Sequence, residues 1–271
     1  MKIIHLSHVD NEGGAAIAAM RIHKALLKNN IDSTLWVNKK RSDNQTVSSF
    51  RGPIGHQLQG VKRLISGGIV SRVLKTENRI IHSPQLFSSD WPDRINNSSA
   101  DIVNLHWVCN EMLSIKDIGK ITKPLVWTFH DMWPACGAEH YTLDERWRTG
   151  YHKKNRPYGE ARFDLNRFVW NRKIRNWKKP GNVVAPSIWL SDISTKSVLF
   201  KDWKTSIIQY PIDTDFWRPI NKDICRDLLD LPKNLPLIAI GNQGGEKNLR
   251  KGFDLFIQAI KELKKLYGDF G

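Results

Sequence analysis

The chain has 271 residues, of which 40% are hydrophobic and 11 are tryptophan, so a packed core is expected and a dominantly disordered chain is excluded. Lys and Arg number 42 against 27 Asp and Glu, a formal charge of +15 that calls for nucleic acid, an anionic membrane surface or a phosphorylated small molecule, or else marks a merely solvated basic surface. The three cysteines, Cys109, Cys136 and Cys225, exclude a disulfide framework. No apolar run approaches the ~18 residues of a membrane span, and the first residues lack a signal-peptide core; the expectation is a reduced, cytoplasmic protein, soluble or peripheral on the inner face of the cell membrane.

Residues 2–9 read as a short, mostly apolar strand. The turn Asp10-Asn11-Glu12-Gly13-Gly14 then opens a helix with Ala16, Ala19, Met20, His23 and Leu27 on its apolar side. Lys28-Asn29-Asn30 is a stop signal, and a second strand covers 31–37. A strand, tight loop, helix and strand in so few residues form a βαβ unit, which predicts an α/β fold with a parallel sheet. Residues 61–74 form an amphipathic stretch split by Gly67-Gly68, followed by a polar loop. Further buried strands are expected at 101–108, 125–129, 182–185 and 205–209, with a helix over 191–199. Pro211 to Pro219 predicts an extended linker. Beyond it come a short helix near 224–229, a strand at 237–240, a glycine-rich turn and a helix over 253–267. One strand and two helices cannot bury both faces of a sheet, so residues 211–271 read as a linker and the incomplete start of a second domain after a first domain at 1–210.

Four segments could carry chemistry. Gly13-Gly14-Ala15-Ala16 sits at a strand-to-helix turn, where free N–H groups and the helix dipole favour an anion or a sugar hydroxyl; a tight packing turn is the alternative. Neither the dinucleotide fingerprint nor the Walker lysine loop is present. His130 and Asp131, in Thr-Phe-His-Asp-Met-Trp, end one predicted strand and His106 ends another, at the sheet edge that lines the ligand crevice of open parallel sheets. They could orient a hydroxyl or move a proton, or be structural histidines; Cys136 and His140 do not complete a convincing metal set. Residues 146–179 hold twelve basic side chains against two acidic ones, with Phe163, Trp170, Ile174 and Trp177 at helical spacing. That stripe suits an anionic membrane face or a nucleic-acid backbone, or else a core seam from which Lys and Arg reach outward. Finally, the run from Gly241 through Arg250-Lys251-Gly252-Phe253 gathers backbone amides, two cations and a helix start, which suits a diphosphate or forms a basic loop.

In this order the motifs resemble family 4 glycosyltransferases of the GT-B architecture, in the branch that builds bacterial capsule, exopolysaccharide and O-antigen chains. The resemblance covers nearly the whole chain. It rests on Gly13-Gly14-Ala15-Ala16, on Pro124 to Pro134, on Ala185-Pro186-Ser187-Ile188-Trp189-Leu190, on Pro211 to Pro219 and on Arg250-Lys251-Gly252-Phe253. It implies two facing Rossmann-like domains, the first binding acceptor and the second a nucleotide sugar, with metal-independent, configuration-retaining transfer and no cofactor. On the matching positions, Gly13, Gly14 and Ala15 would border the diphosphate and acceptor. His130 would contact the donor sugar as the catalytic residue, and Lys251, with Arg250, would meet the leaving diphosphate; His106, Asp131 and Ser187 would complete the binding set. A cation and a helix N-terminus aimed at a departing diphosphate lower its barrier. The sequence departs from the family in three ways: Asn242 stands where relatives carry arginine, only Cys136 remains of a cysteine group, and the paired glutamates of the second domain are absent. The implied function is sugar transfer from a nucleotide sugar to a saccharide or lipid-linked acceptor in cell-surface polysaccharide synthesis, with this chain a C-terminally truncated, inactive form. The alternative is a non-catalytic half-protein that binds saccharide or a separate donor-domain subunit. No nucleic-acid motif accompanies the charge, so nucleic acid is not an expected partner.

Overall fold

The computed structural model describes residues 1–50, 52–241 and 249–268. They fall into two compact units, Met1–Asp213 and Thr214–Gly271. The first unit runs β1 (Lys2–Val9), α1 (Gly14–Lys28), β2 (Asp32–Lys39), β3 (Val47–Ser48), α2 (Pro53–Val73), β4 (Leu74–Lys75), α3 (Trp91–Asn96), β5 (Ile102–Leu105) and α4 (Ile115–Gly119). It continues through β6 (Leu125–Thr128), α5 (Arg146–Thr149), β7 (Ala161–Arg162), α6 (Leu165–Asn176), β8 (Asn182–Ala185), α7 (Ile188–Lys196) and β9 (Lys204–Ile207).

Seven strands form one parallel sheet in the order β3-β2-β1-β5-β6-β8-β9, and β4 pairs with β7 in a separate antiparallel ribbon. The fold is therefore Rossmann-like α/β. The chain grows outward from β1 through β2 to β3, then returns to lay β5 on the other side of β1. That reversal makes a topological switch point at the carboxyl ends of β1 and β5. As an interior strand, β1 is buried continuously from Ile3 to Ser7, because helices cover both faces of a parallel sheet. Small residues on α1 (Ala16, Ala18 and Ala19, all buried) let that helix pack close to the sheet.

The glycine pair 67–68 does not split α2, which runs unbroken. An internal helical glycine costs only about 1 kcal/mol against alanine, and Gln59 and Ser66 tie the helix to Asn110 O (2.9 Å) and Glu111 Oε1 (2.8 Å). The basic, aromatic stripe of 146–179 is largely core. Trp170 and Trp177 are buried, Ile174 packs against the core, and only Phe163 is half exposed. Trp177 joins an aromatic cluster centred on Trp127, with Trp133, Phe129, Phe200 and Trp203 around it. An expected membrane face thus loses its tryptophans to the interior, where their large apolar area is better used. Two of its cations are interior as well. Arg146 is paired with Asp144 and Glu160, and Lys173 donates to the carbonyls of Trp133, Cys136 (2.9 Å) and Gly137 (2.9 Å).

In the second unit, α8 (Lys222–Leu228) and α9 (Phe253–Tyr267) form as expected. Residues 237–240 do not form the expected strand and are largely exposed. A lone strand has no ladder partner for its N–H and C=O groups, and no second strand is present among the described residues of this unit. Asn242 to Gly245, in the expected glycine-rich turn, lie outside the described residues.

Loop 133–138 and α6 meet without spare room: a Cβ at Gly137 would stand 2.6 Å from Asn166 O and 2.7 Å from Asn166 Cα. Gly137→Ala is expected to lower stability by about 1–3 kcal/mol. Gly67→Ala, in a helix interior with nothing within 4 Å of the new Cβ, should raise it by about 0.5–1 kcal/mol. Equilibrium urea unfolding of the two variants checks the opposite signs.

Candidate active site at the switch point

The carboxyl edge of the sheet collects the ends of β1, β2, β5 and β6, and most of the expected residues meet there. Gly13 caps α1 at φ 83, a left-handed-side conformation that glycine adopts freely. No side chain caps this helix and no acidic residue lies in its first turn, so its leading N–H groups are open to an anion. Gly14 is exposed and has no atom within 4 Å of the direction a Cβ would take. The 10–13 turn is held by Asp10, which accepts from Arg41 N and Ser42 N at 2.9 Å each, and by a Glu12–Arg41 ion pair of 2.6 Å.

Cations crowd the same edge. Lys39 is in register with Val9, and the charges of Arg63, Lys39 and Arg41 act on His8. Burial first, and then those three charges, push the His8 imidazole down to about 4. Its Nδ1 is buried without a hydrogen-bond partner among the described residues.

Behind this edge runs a line of imidazoles. His5 Nδ1 lies 2.9 Å from His106 Nε2, and His106 Nδ1 lies 2.9 Å from His130 Nε2. His130 Nδ1 is 2.6 Å from the Tyr210 hydroxyl, which in turn donates to Phe129 O at 3.3 Å. Backbone pairing sets the spacing, since His106 N donates to Leu6 O (2.9 Å) and Phe129 N to Val184 O (2.9 Å). Burial lowers all three histidines: His5 to about 3, His130 to about 4 despite the opposing pull of Asp131, and His106 further depressed by the neighbouring histidines. All three are neutral at pH 7.

His106 was expected to face a ligand. It is buried instead, with both ring nitrogens bonded to other histidines, because the strand end turns it into the sheet. Asp131 also turns inward. Its carboxylate accepts from Trp133 N (3.0 Å) and Trp107 Nε1 (3.1 Å) and meets His140 Nδ1 at 2.6 Å. Burial alone would raise that carboxyl, but His140 beside it and the bonds it accepts hold it below the ordinary range. His140 Nε2 reaches Ser83 Oγ at 2.8 Å, giving a serine–histidine–aspartate line. All three residues are buried, so no substrate carbonyl can approach that serine, and the line acts as a latch on loop 130–140.

Ser187 follows β8 by two residues and is exposed, with its hydroxyl accepting from Leu190 N (3.2 Å) as the cap of α7. Arg250 and Lys251 belong to the second unit, in a single 3-10 turn before Gly252, and both are exposed. Sequence reasoning overlooked His5, His8 and Tyr210. The two histidines lie within a run that reads as plain strand, and nothing in the sequence links Tyr210 to a histidine 80 positions earlier. Among the described residues no group of three or more His, Cys, Asp or Glu side chains is placed to hold a metal ion, and no helix is long and apolar enough to cross a membrane.

No protein-family model matches the sequence, and no curated protein does. Among solved structures, the chain is similar to HepE of Anabaena, crystallised in complex with UDP, at 14% sequence identity and a TM-score of 0.35. The match covers 85% of this chain and 50% of that one, so it spans half the length of HepE.

The neutral histidines impose a pH dependence on stability. His5 and His130 are held at about 3 and about 4 in the fold, against about 6.5 in the unfolded chain. Between those values the unfolded state binds more protons, so stability is complete above about pH 6.5 and falls as the pH drops toward 4. Each of the two contributes a slope approaching about 1.4 kcal/mol per pH unit. Urea midpoints measured from pH 7.5 to pH 5 should fall, and His5→Gln should flatten the decline.

Proposed function

We propose that this chain transfers a sugar from a nucleotide-sugar donor to a saccharide or lipid-linked acceptor in cell-surface polysaccharide synthesis, retaining anomeric configuration and using no metal. The observation that carries the reading is the convergence at the switch point of three features: the uncapped N-terminus of α1, the cations around His8, and His130 bonded to a hydroxyl. An anionic diphosphate or an acceptor phosphate fits the first two. A sugar hydroxyl fits the third, where the Tyr210 phenol now sits. The resemblance of the motifs to family 4 glycosyltransferases supports the same assignment.

In this mechanism His130 orients a hydroxyl of the sugar, and the amides after Gly13 with Lys39 and Arg63 offset negative charge on the phosphoryl groups. The motif resemblance assigns Arg250 and Lys251, within the second unit by itself, to a leaving diphosphate. Water is kept from the histidine line by burial of His5 and His106.

A second reading is favoured by one observation. In the unit Thr214–Gly271, Phe216, Trp217, Leu228, Leu229 and Leu266 are each at least 60% exposed. Apolar surface of that kind suits a partner subunit that carries the donor site. The intact mass of the protein from its native cell, with its oligomeric state, separates the two readings: a single polypeptide much heavier than 31.2 kDa argues against a separate subunit.

The catalytic reading is tested by release of nucleoside diphosphate from a panel of nucleotide sugars with lipid-linked and free saccharide acceptors. The native polypeptide should turn over at least one donor, with the rate unchanged by EDTA. His130→Ala should reduce turnover by about 10²-fold or more, in the range for loss of a positioned transition-state hydrogen bond. A full rate in that variant removes His130 from the site.

A further inference from the structure

We propose that His5 and His106 are positioning residues that hold His130 as its Nδ1–H tautomer, so that His130 meets a substrate hydroxyl as a hydrogen-bond donor and not as a base. The proposal rests on the reading above only in taking the Tyr210 hydroxyl position as the place of a substrate oxygen. The tautomer itself follows from hydrogen counting along the line.

Three neutral imidazoles and one phenol bring one exchangeable hydrogen each. The line has three internal gaps, namely His5 to His106, His106 to His130, and His130 to Tyr210. Each gap is a hydrogen bond only if it holds one hydrogen, which leaves two continuous arrangements. In the outward one, every ring donates from Nδ1 toward Tyr210, and the phenol passes its hydrogen on to Phe129 O. In the inward one, Tyr210 donates to His130, every ring donates from Nε2, and the last hydrogen rests on His5 Nε2.

The ends decide between them. His5 Nε2 is buried with no partner among the described residues, so the inward arrangement strands an N–H there and forfeits the bond to Phe129 O. The outward arrangement leaves only a lone pair at that nitrogen and places all four hydrogens in bonds. Stranding a buried donor is the costlier outcome. The outward order follows, and His130 presents N–H at the crevice. A third bonding partner cannot change this locally, because both nitrogens of His106 are already engaged by His5 and His130. Burial keeps the line neutral, which preserves the count.

The test is long-range ¹H–¹⁵N correlation spectroscopy on the chain labelled with ¹⁵N-histidine, at pH 7 and without ligand. The expected spectrum shows a protonated, pyrrole-type Nδ1 and a bare, pyridine-type Nε2 on His5, His106 and His130. A protonated Nε2 on His130 overturns the proposal. Tyr210→Phe removes the bond to Phe129 O from a half-buried position and leaves the core intact. It should drive the ring nitrogens of His5, two imidazoles away, toward mixed tautomers; unchanged His5 signals would also overturn the proposal, since a merely structural Tyr210 would not reach that far. His106→Phe should cut the line, so that Tyr210→Phe added to it no longer moves His5. The spectra need no substrate. Inward tautomers in a protein that turns over sugar nucleotides would refute the relay alone, whereas outward tautomers in a protein that turns over none would refute the catalytic reading alone.

Discussion

The parallel pairing of β1 with β5 is the constraint on which the candidate site depends. It brings together segments about 100 residues apart, with Leu6 opposite Leu105 and His5 within 2.9 Å of His106. Because the chain departs from β1 in one direction and returns on its other side, the loops after these two strands diverge, the arrangement at which open α/β sheets bind ligands. The next pairing, β5 with β6, sets His130 one strand further along, and each histidine stands two residues beyond the level of the one before, since His5 is opposite Asn104 and Leu105 is opposite Trp127. The imidazole line is thus a consequence of sheet register: His5 within β1, His106 just past the end of β5 and His130 just past the end of β6.

The electrostatics divide the edge into two zones. Toward solvent stand Lys39, Arg63 and the open end of α1, which favour negative charge, and Arg41, whose charge is met by Glu12 at 2.6 Å. Beneath them the histidines are neutral because burial disfavours the imidazolium, and the cations above reinforce this at His8. An anion bound above would meet positive charge, while a hydroxyl below would meet a neutral, oriented ring. Each zone does what the other cannot, since a charged ring in the interior would carry a desolvation cost that the exposed cations avoid.

Rigidity of the loop after β6 comes from interior charges. The ammonium of Lys173 is buried among three carbonyls and over the Trp133 ring at 3.9 Å, and burial lowers it to about 7. Asp131, His140 and Ser83 hold the other side of the same loop. His130 stands two residues past β6 and next to Asp131 of the latch, while its own ring is held by His106 and Tyr210. The basic residues that stand out in the composition therefore serve two unrelated ends, and those of α6 are partly structural.

Elements with a strong apolar period were legible from residues alone: β1, β8 and α9 have the bounds that the pattern predicts, and the parallel α/β class follows from the βαβ spacing. The placement of Gly13, Gly14 and His130 after strand ends was also legible, because turns after strands in parallel sheets lie on one edge. The orientation of side chains was not. Whether Trp170 and Trp177 face lipid or core, and whether His106 and Asp131 face ligand or protein, depends on partners that sequence spacing does not specify; tertiary packing supplied Trp127 for one and His5, His130 and His140 for the others. The amino-acid sequence by itself determined which segments become strands and helices and which loops share an edge, because those follow from local periodicity and backbone chemistry. Only the tertiary structure decided which polar groups are consumed inside the protein and which remain for a ligand, because that is settled by contacts between residues far apart in the chain.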